Sequence, residues 1–226
     1  MKIIIFEPHP DDLLFGPGPI LLDWIKENHN IHIITVTDGR ACYRSGEDSY
    51  SDDVATMTED DVAEMRINEA KKAIEFLGIP HKNHHLLKFH DAEGQEYVSR
   101  AIEKVKPLIE DAERLVFPSD NNKHDDHQAT HDIAVGAAQD LNLKSAEYFI
   151  YAIPSYVRFS DDSIQKQLNV KISEEKAKKL MEWYQIYNSQ HKIKFTNKMY
   201  LSFLKNVRER TYAIFKYDDI GKYKNF

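Results

Sequence analysis

Two short segments of the sequence concentrate side chains that can bind a metal ion. They are PHPDD at residues 8–12 and HDDH at residues 124–127. Imidazole nitrogens and carboxylate oxygens are zinc ligands, and catalytic zinc sites take three protein ligands and leave a fourth position open. Adjacent carboxylates such as Asp11 and Asp12 repel each other unless a cation or a helix N-terminus offsets their charge. The pattern predicts a divalent metal site, and the alternative is a pair of helix caps.

The second segment leaves two ligand sets open. His127 and His131 have the i,i+4 spacing of the two histidines in HExxH metalloproteases, but Gln128 stands where those enzymes carry a glutamate base. We favour a set divided between the two segments, made of His9, Asp12 and His127, which leaves an open position for water. On this interpretation His131 is expected on the surface of its helix.

The elements around these segments alternate between strand and helix. Apolar β-branched runs predict strands at 2–6, 31–37, 84–89, 114–118, 147–153 and 212–215. Helical spacing and capping residues predict helices at 20–27, 58–77, 95–112, 126–141, 174–190 and 199–207. This order predicts an α/β, Rossmann-like three-layer fold: a mostly parallel sheet with helices on both faces and a C-terminal α/β extension, forming one domain over residues 1–226. Both segments then follow strands and share the sheet edge where ligands bind.

Residues 40–57 form a long polar stretch without periodicity, which predicts either a lid or a disordered segment. Arg40, Tyr43 and Arg44 in this stretch are candidate substrate contacts, and a solvated loop is the alternative. The histidines at 81, 84, 85 and 90 have irregular spacing, which favours a structural role over a second metal site.

Composition limits the classes of function. The net charge of -7 argues against a nucleic-acid binder, because such proteins carry a basic face. No run reaches the roughly 20 apolar residues of a membrane span, and the apolar run near Met1 is too short for a signal peptide. The single cysteine, Cys42, fits a cytoplasmic location. Composition leaves open whether the chain forms a homo-oligomer.

Taken together, these residues resemble the PIG-L/LmbE-like N-deacetylase family, which includes deacetylases of N-acetylglucosamine conjugates. The family pattern is an apolar strand, A-H-P-D-D-E, a glycine-rich helix start and a later H-x-D-H. Beside the two segments, this chain has Gly16 and Gly18, TDG at 37–39, RINE at 66–69 and YNSQ at 187–190. Leu13 stands where the family usually has glutamate, and prolines at 8 and 19 replace a small residue and a glycine.

The resemblance implies hydrolysis of an acetyl or other acyl amide on an N-acetylglucosamine-type small molecule, with zinc or another divalent metal as cofactor. It implies three metal ligands: His9, Asp12 and His127. Asp11 would be the general base, a protonated His124 would stabilise the developing oxyanion, and Asp126 would orient one of the histidines.

Three other functions are weaker fits. A receiver-like signalling module also has paired acidic residues after its first strand, but it needs a lysine after its fifth, where this chain has Ile153-Pro154-Ser155. A nucleotide site on Gly16 and Gly18 would lose backbone N–H donors to the neighbouring prolines. A metal-dependent phosphoesterase, or another amidohydrolase on the same fold, stays open, although two-metal phosphate sites are typically richer in carboxylates.

Overall fold

One twisted sheet organises the protein, whose structure here is a computed structural model that describes residues 1–44, 50–54, 56–153 and 166–220. Its seven strands lie in the order β3-β2-β1-β4-β5-β7-β6. Their bounds are β1 Lys2–Glu7, β2 Asn30–Thr37, β3 His84–Phe89, β4 Arg114–Pro118, β5 Glu147–Tyr151, β6 Lys166–Lys171 and β7 Glu209–Phe215. The first five strands are parallel, and β7 joins β5 and β6 by antiparallel pairing. The mostly parallel sheet is therefore confirmed.

Helices cover both faces of the sheet. They are α1 Asp12–Phe15, α2 Gly18–Lys26, α3 Glu59–Phe76, α4 Val98–Ile109, α5 Asp125–Asp140, α6 Glu174–Tyr184, α7 Asn188–His191 and α8 Lys194–Asn206. Successive residues of β1 face opposite sides, as the strand period requires. Ile3 and Ile5 belong to the core under α2, α3 and α6, whereas Ile4 and Phe6 belong to the core under α4 and α5. Two cores with the sheet between them make the predicted three layers.

The start and end of α3 follow from its sequence. Thr58 caps the helix by accepting the N–H of Asp61, whose carboxylate accepts the N–H of Thr58 in return. Three acidic residues fill the first turn, where the helix dipole favours negative charge. After the last turn, Gly78 adopts a φ of +70°, a conformation that costs glycine little.

The C-terminal region differs from the sequence-based prediction. The expected helix at 174–190 is two helices, because Tyr187 leaves helical geometry with a ψ of 68°. Its buried ring fills the core and its hydroxyl accepts the indole N–H of Trp183 at 3.1 Å. β6 was not predicted, because its lysines and amides give little apolar signal and only pairing with β7 makes it a strand.

The topology places the loops after β1 and β4 side by side. From β1 the chain moves outward to β2 and β3, and it then crosses back to β4 on the other side of β1. The strand order therefore reverses between β1 and β4, and such a switch point is where ligands bind in open α/β sheets. Within the described ranges, no helix has the length and apolarity that a membrane crossing requires.

Candidate metal centre

The loop after β1 is a tight turn that fixes the first pair of donors. The backbone N–H of Asp12 donates to the carbonyl of His9 at 3.1 Å, and the N–H of His9 donates back to Oδ2 of Asp12 at 3.0 Å. Nδ1 of the His9 ring lies 2.9 Å from the same oxygen. Two prolines flank His9 and limit its backbone further. The positions of both side chains are thus set by local structure.

The loop after β4 holds the second group of donors. His124 is the N-cap residue of α5, and its Nδ1 accepts the N–H of Asp126 at 3.4 Å. Asn122 supports both histidines: its Oδ1 accepts the N–H of His124 at 2.9 Å, and its Nδ2 lies 3.1 Å from Nδ1 of His127. Sequence analysis missed Asn122, because an asparagine in a polar loop carries no distinguishing signal.

The two loops bring together the ligand set that we favoured from the sequence. His9, Asp12 and His127 each offer one donor atom, and the three atoms lie within 4.8 Å of one another. Nε2 of His127 is 3.3 Å from Oδ2 of Asp12, and the two imidazole centroids are 5.2 Å apart. All three residues are buried. Two nitrogens and one oxygen at this spacing form a donor set that suits a divalent transition metal.

A second donor group shares His9 but fits a metal less well. It consists of His9, Asp91, His124 and Asp126. The carboxylate of Asp126 already accepts two backbone N–H groups, at 2.8 and 3.0 Å, and the hydroxyl of Tyr97 at 2.7 Å. Nε2 of His9 lies 3.3 Å from Asp126 and 3.1 Å from Asp91. This geometry suits carboxylates that hold the His9 ring, and Asp91 in that position was not anticipated.

The charges of the centre are strongly coupled. Burial alone would raise the pKa of Asp12, but the charge of His127 and hydrogen bonds from both histidines hold it well below its usual value. Burial alone would lower the pKa of His9, but Asp91 and its other carboxylate partners raise it. Asp11, Asp12, Asp91 and Asp126 are all buried here. A divalent cation would offset this concentration of negative charge.

Asp11 lies beside the donor set and is paired with Arg66 of α3. Burial raises the pKa of Asp11 more than the positive charge of Arg66 lowers it. Arg66 also donates to the carbonyl of Gly39 at 3.4 Å. A side chain at Gly39 would lie 2.9 Å from Arg66, so the glycine makes room for the ion pair. The segments TDG and RINE therefore meet at Asp11.

His124 differs from its expected protonation state. Burial, together with the charges of His9 and His127, lowers its pKa to about 4. A neutral imidazole has one N–H, and Nδ1 of His124 accepts a hydrogen bond. The proton of the neutral ring is therefore on Nε2. The expectation of a protonated His124 gives way to a neutral ring that still donates one hydrogen bond.

Glu7 and Leu13 explain how the chain departs from the family pattern beside the site. The Leu13 side chain is 1% exposed and lies in the core under α2, so it leaves the site without a carboxylate at this position. Its N–H donates to Glu7 at 3.0 Å, and Glu7 also accepts the hydroxyl of Thr35 at 2.6 Å. Burial raises the pKa of Glu7 to about 8. The predicted strand ended at residue 6, and Glu7 was assigned no role from the sequence; the structure places it at the end of β1.

A cavity of about 400 Å³ opens beside the donor set. Of the three candidate substrate contacts, Arg44 lines it, whereas Arg40 and Tyr43 are not among its lining residues. Arg40 pairs with Asp38 at 2.8 Å, and the hydroxyl of Tyr43 donates to a backbone carbonyl of α7 at 3.0 Å. The rest of the candidate lid falls partly on residues 45–49 and 55, which lie outside the described residues.

Two expectations about other histidines have different outcomes. His131 was expected on the helix surface, but it is buried, 4% exposed, with its ring edge against Phe117. The reason is that α5 packs closely on β4 and presents this position to the core. His84 lies 2.8 Å from the hydroxyl of Thr35, and the candidate metal groups among the described residues include none of the histidines at 81, 84, 85 and 90.

A sequence model of the family described as GlcNAc-PI de-N-acetylase, PIG-L, matches residues 4–138. A search of curated proteins finds no match.

Among solved structures, a deacetylase of teicoplanin biosynthesis is 17% identical, with a TM-score of 0.71 over 97% of this chain and 100% of that one. The zinc inhibited form of teicoplanin deacetylase Orf2 is 17% identical, with a TM-score of 0.69 over the same shares of the two chains, 97% and 100%. The N,N'-diacetylchitobiose deacetylase of Pyrococcus horikoshii is 16% identical, with a TM-score of 0.72 over 96% and 85% of the two chains. At these identities the likeness shows a shared fold.

Proposed function

We infer the chemistry of this protein from one premise: the chain belongs to the PIG-L family, described as GlcNAc-PI de-N-acetylases, whose sequence model covers residues 4–138 of its 226 residues. On that premise we propose that the protein is a metal-dependent hydrolase that removes the acetyl group, or another acyl group, from the amide nitrogen of an N-acetylglucosamine-type conjugate. The substrate is a small molecule, and the single free thiol of Cys42 fits an enzyme of the cytoplasm.

One observation carries the proposal. His9 and Asp12 lie more than a hundred positions before His127, and the donor atoms of all three lie within 4.8 Å at the switch point of the sheet. Structural ion networks also bury charged groups, but here two imidazoles and a carboxylate converge beside a cavity, as expected of a functional site. The solved structures with this fold include deacetylases of amino-sugar compounds, which supports the same reaction class.

The donor set fits a zinc-type cofactor. We assign the ligands to His9, Asp12 and His127, and we exclude Asp126 from the set because its oxygens are occupied by protein donors. A bound divalent metal acidifies water and polarises carbonyl groups, so it would supply electrophilic assistance to amide hydrolysis. Zinc is our first choice, and other divalent transition metals that accept imidazole ligands, such as iron or nickel, would fit the same donor set.

The side chains around the donor set have different roles in the reaction. Asp11, fixed at Oδ1 by Arg66, accepts a proton from the attacking water and returns it to the leaving amine nitrogen. Nε2 of His124 donates its hydrogen to the negative oxygen that develops on the substrate carbonyl. Asp126 orients the His9 ring through its carboxylate and the His124 ring through its backbone N–H.

One of the three candidate substrate contacts lines the cavity. Arg44 lines the cavity and is our candidate for binding the sugar. Arg40 and Tyr43 shape the segment that carries Arg44, because both anchor it to neighbouring elements.

The test is a screen for released amine. Metal-loaded protein is incubated with N-acetylglucosamine conjugates, chito-oligosaccharides and thiol-sugar precursors, and the primary amine is quantified. We expect metal-dependent release from at least one class, lost on chelation and restored by added metal. Hydrolysis of phosphate esters by the same preparation, with no amine from any amide, would overturn the proposal in favour of a phosphoesterase.

A further inference from the structure

The cavity has two walls of different chemistry. One wall carries the histidines and aspartates of the metal centre. The other comes from the end of β5, the residue before α8 and α8 itself, and its members are Ile153, Ile193, Thr196, Met199 and Tyr200. Most of this second wall is hydrocarbon or aromatic ring. A sugar hydroxyl buried against it would lose its hydrogen bonds to water without replacement.

The second wall continues along the helix toward solvent. Phe195 precedes Met199 by one helical turn, so the two side chains are neighbours on the helix surface. Phe195 is 67% exposed, which is unusual for a side chain of its size. Tyr200 stacks on the buried ring of Phe15 with centroids 3.8 Å apart, and this contact fixes the inner part of the wall. The result is an apolar strip that leads out of the cavity.

The charges at the cavity disfavour an anionic substituent on the substrate. Among the described residues that line it, the permanently cationic side chains are Arg44 and Arg66. Arg44 is paired with Glu59, and Arg66 is paired with Asp11. Phosphate groups are usually held by cations or backbone N–H groups that are free to face them. The observed pairing therefore disfavours an anionic substituent in this cavity.

We propose that the strip formed by Ile193, Met199, Tyr200 and Phe195 binds a neutral, apolar aglycone of the amino sugar, such as an alkyl or aryl group. The inference rests on the proposed function, since it describes the substrate of the same site. The sugar amide faces the metal centre, while the group attached to the sugar lies along α8.

A series of glycosides tests the proposal. The kcat/KM of metal-loaded protein is measured for methyl, butyl and hexyl N-acetyl-β-glucosaminides and for N-acetylglucosamine 1-phosphate. Each fully buried methylene adds up to about fourfold, so we expect the hexyl compound to exceed the methyl compound by at least about 20-fold. The phosphate is expected to be the poorest substrate. A flat alkyl series, or a phosphate preferred to the hexyl compound, would overturn the inference.

Two variants locate the effect. Met199→Gln keeps the size of the side chain but makes the strip polar, and it should reduce the hexyl-to-methyl ratio at least fivefold. Leu201→Gln is the matched control, because Leu201 lies on the same helix but lines a different groove with Lys198 and Lys205. That control should keep the wild-type ratio. Equal ratios in the two variants would contradict a role for this strip.

A binding measurement separates this inference from the proposed function. Hexyl and methyl β-glucosides have no amide and share the same sugar. The difference between their affinities, measured by calorimetry, therefore reports the apolar contact of the alkyl chain. Hexyl glucoside should bind at least tenfold more tightly, and Met199→Gln should remove the difference. If no amide is hydrolysed but this difference is found, the reaction is wrong and the apolar site stands. If amides are hydrolysed but the two glucosides bind equally, the apolar site is wrong and the reaction stands.

Discussion

At the scale of single residues, burial is the main influence on the pKa values of Asp11 and His124, the two residues assigned to proton transfer and oxyanion stabilisation. Asp11 is buried against Arg66, and burial raises its pKa. Burial, together with the charges of His9 and His127, lowers the pKa of His124 to about 4. Burial therefore moves the two pKa values toward each other and favours the neutral form of each group. Here the carboxylate is suited to accept a proton and the imidazole to donate a hydrogen bond while neutral.

Replacement of the base should abolish most turnover without loss of metal. Asp11→Asn keeps the shape of the side chain but cannot accept the proton, so we expect kcat to fall at least 100-fold. Metal content is measured on the same preparations. Asp132→Asn, on α5 and outside the cavity lining, is the matched carboxylate-to-amide control and should keep its rate. A rate for Asp11→Asn within threefold of wild type would remove Asp11 from the mechanism.

Loss of the oxyanion donor should affect kcat more than KM. His124→Ala removes the Nε2 hydrogen that acts in the transition state, and donors of this type contribute roughly 100- to 1,000-fold in kcat. Steady-state kinetics and metal analysis together check this prediction. A changed KM with an unchanged kcat would instead indicate a role in substrate binding.

The buried carboxyl of Glu7 should matter for stability through its two hydrogen bonds. Glu7→Ala leaves the N–H of Leu13 without its partner and opens a cavity, so we expect a loss of about 2–4 kcal/mol in the free energy of unfolding. Glu7→Gln keeps an acceptor oxygen for Leu13 and can donate its amide N–H to the Thr35 hydroxyl, so it should lose less than half as much. Urea denaturation at pH 7 measures both. Equal losses in the two variants would show that the hydrogen bonds are not the cause.

At the scale of elements, the sequence was sufficient where local chemistry and burial agree. The Thr58 cap, the apolar runs of β1, β2 and β4, and the order of strands and helices follow from residue pattern alone. Strand β6 and the helix break at Tyr187 could not be predicted from the residue pattern. β6 depends on pairing with β7, and the break depends on burial of the Tyr187 ring in the core. The same holds for the site: its two loops were predictable from motifs, whereas Asn122, Asp91 and the buried His131 needed the packing of α5 and β3 around them.

Strand β3 should make stability depend on pH. His84 is largely buried, and desolvation together with nearby positive groups lowers its pKa to about 4. In the unfolded chain the pKa of this histidine is near 6.5, so below about pH 6.5 the unfolded state binds more protons than the native state. The free energy of unfolding therefore decreases as the pH is lowered. Compared with His84→Gln, the wild type should lose about 1 kcal/mol more between pH 7.5 and pH 5.5. Denaturation of both proteins across this range checks the difference, and parallel curves would contradict it.

At the scale of the whole molecule, the sheet order explains why the two motifs work together. Neither loop holds the full donor set, and only the adjacency of β1 and β4 unites them. A ligand that binds this assembled site stabilises the native state in proportion to its affinity, because the unfolded chain separates the two loops. A measurement of metal binding therefore tests both that the two loops are adjacent and that their side chains form a metal site.

The most direct measurement is the zinc content of the refolded protein after dialysis against a metal buffer, compared between His127→Ala and His131→Ala. The two histidines lie one turn apart on α5, and both are buried, so the variants differ mainly in whether a proposed ligand is lost. We predict about one zinc per chain for the wild type and for His131→Ala, and almost none for His127→Ala, with all three folded by circular dichroism. Full zinc occupancy in His127→Ala would contradict the metal centre and, with it, the enzyme.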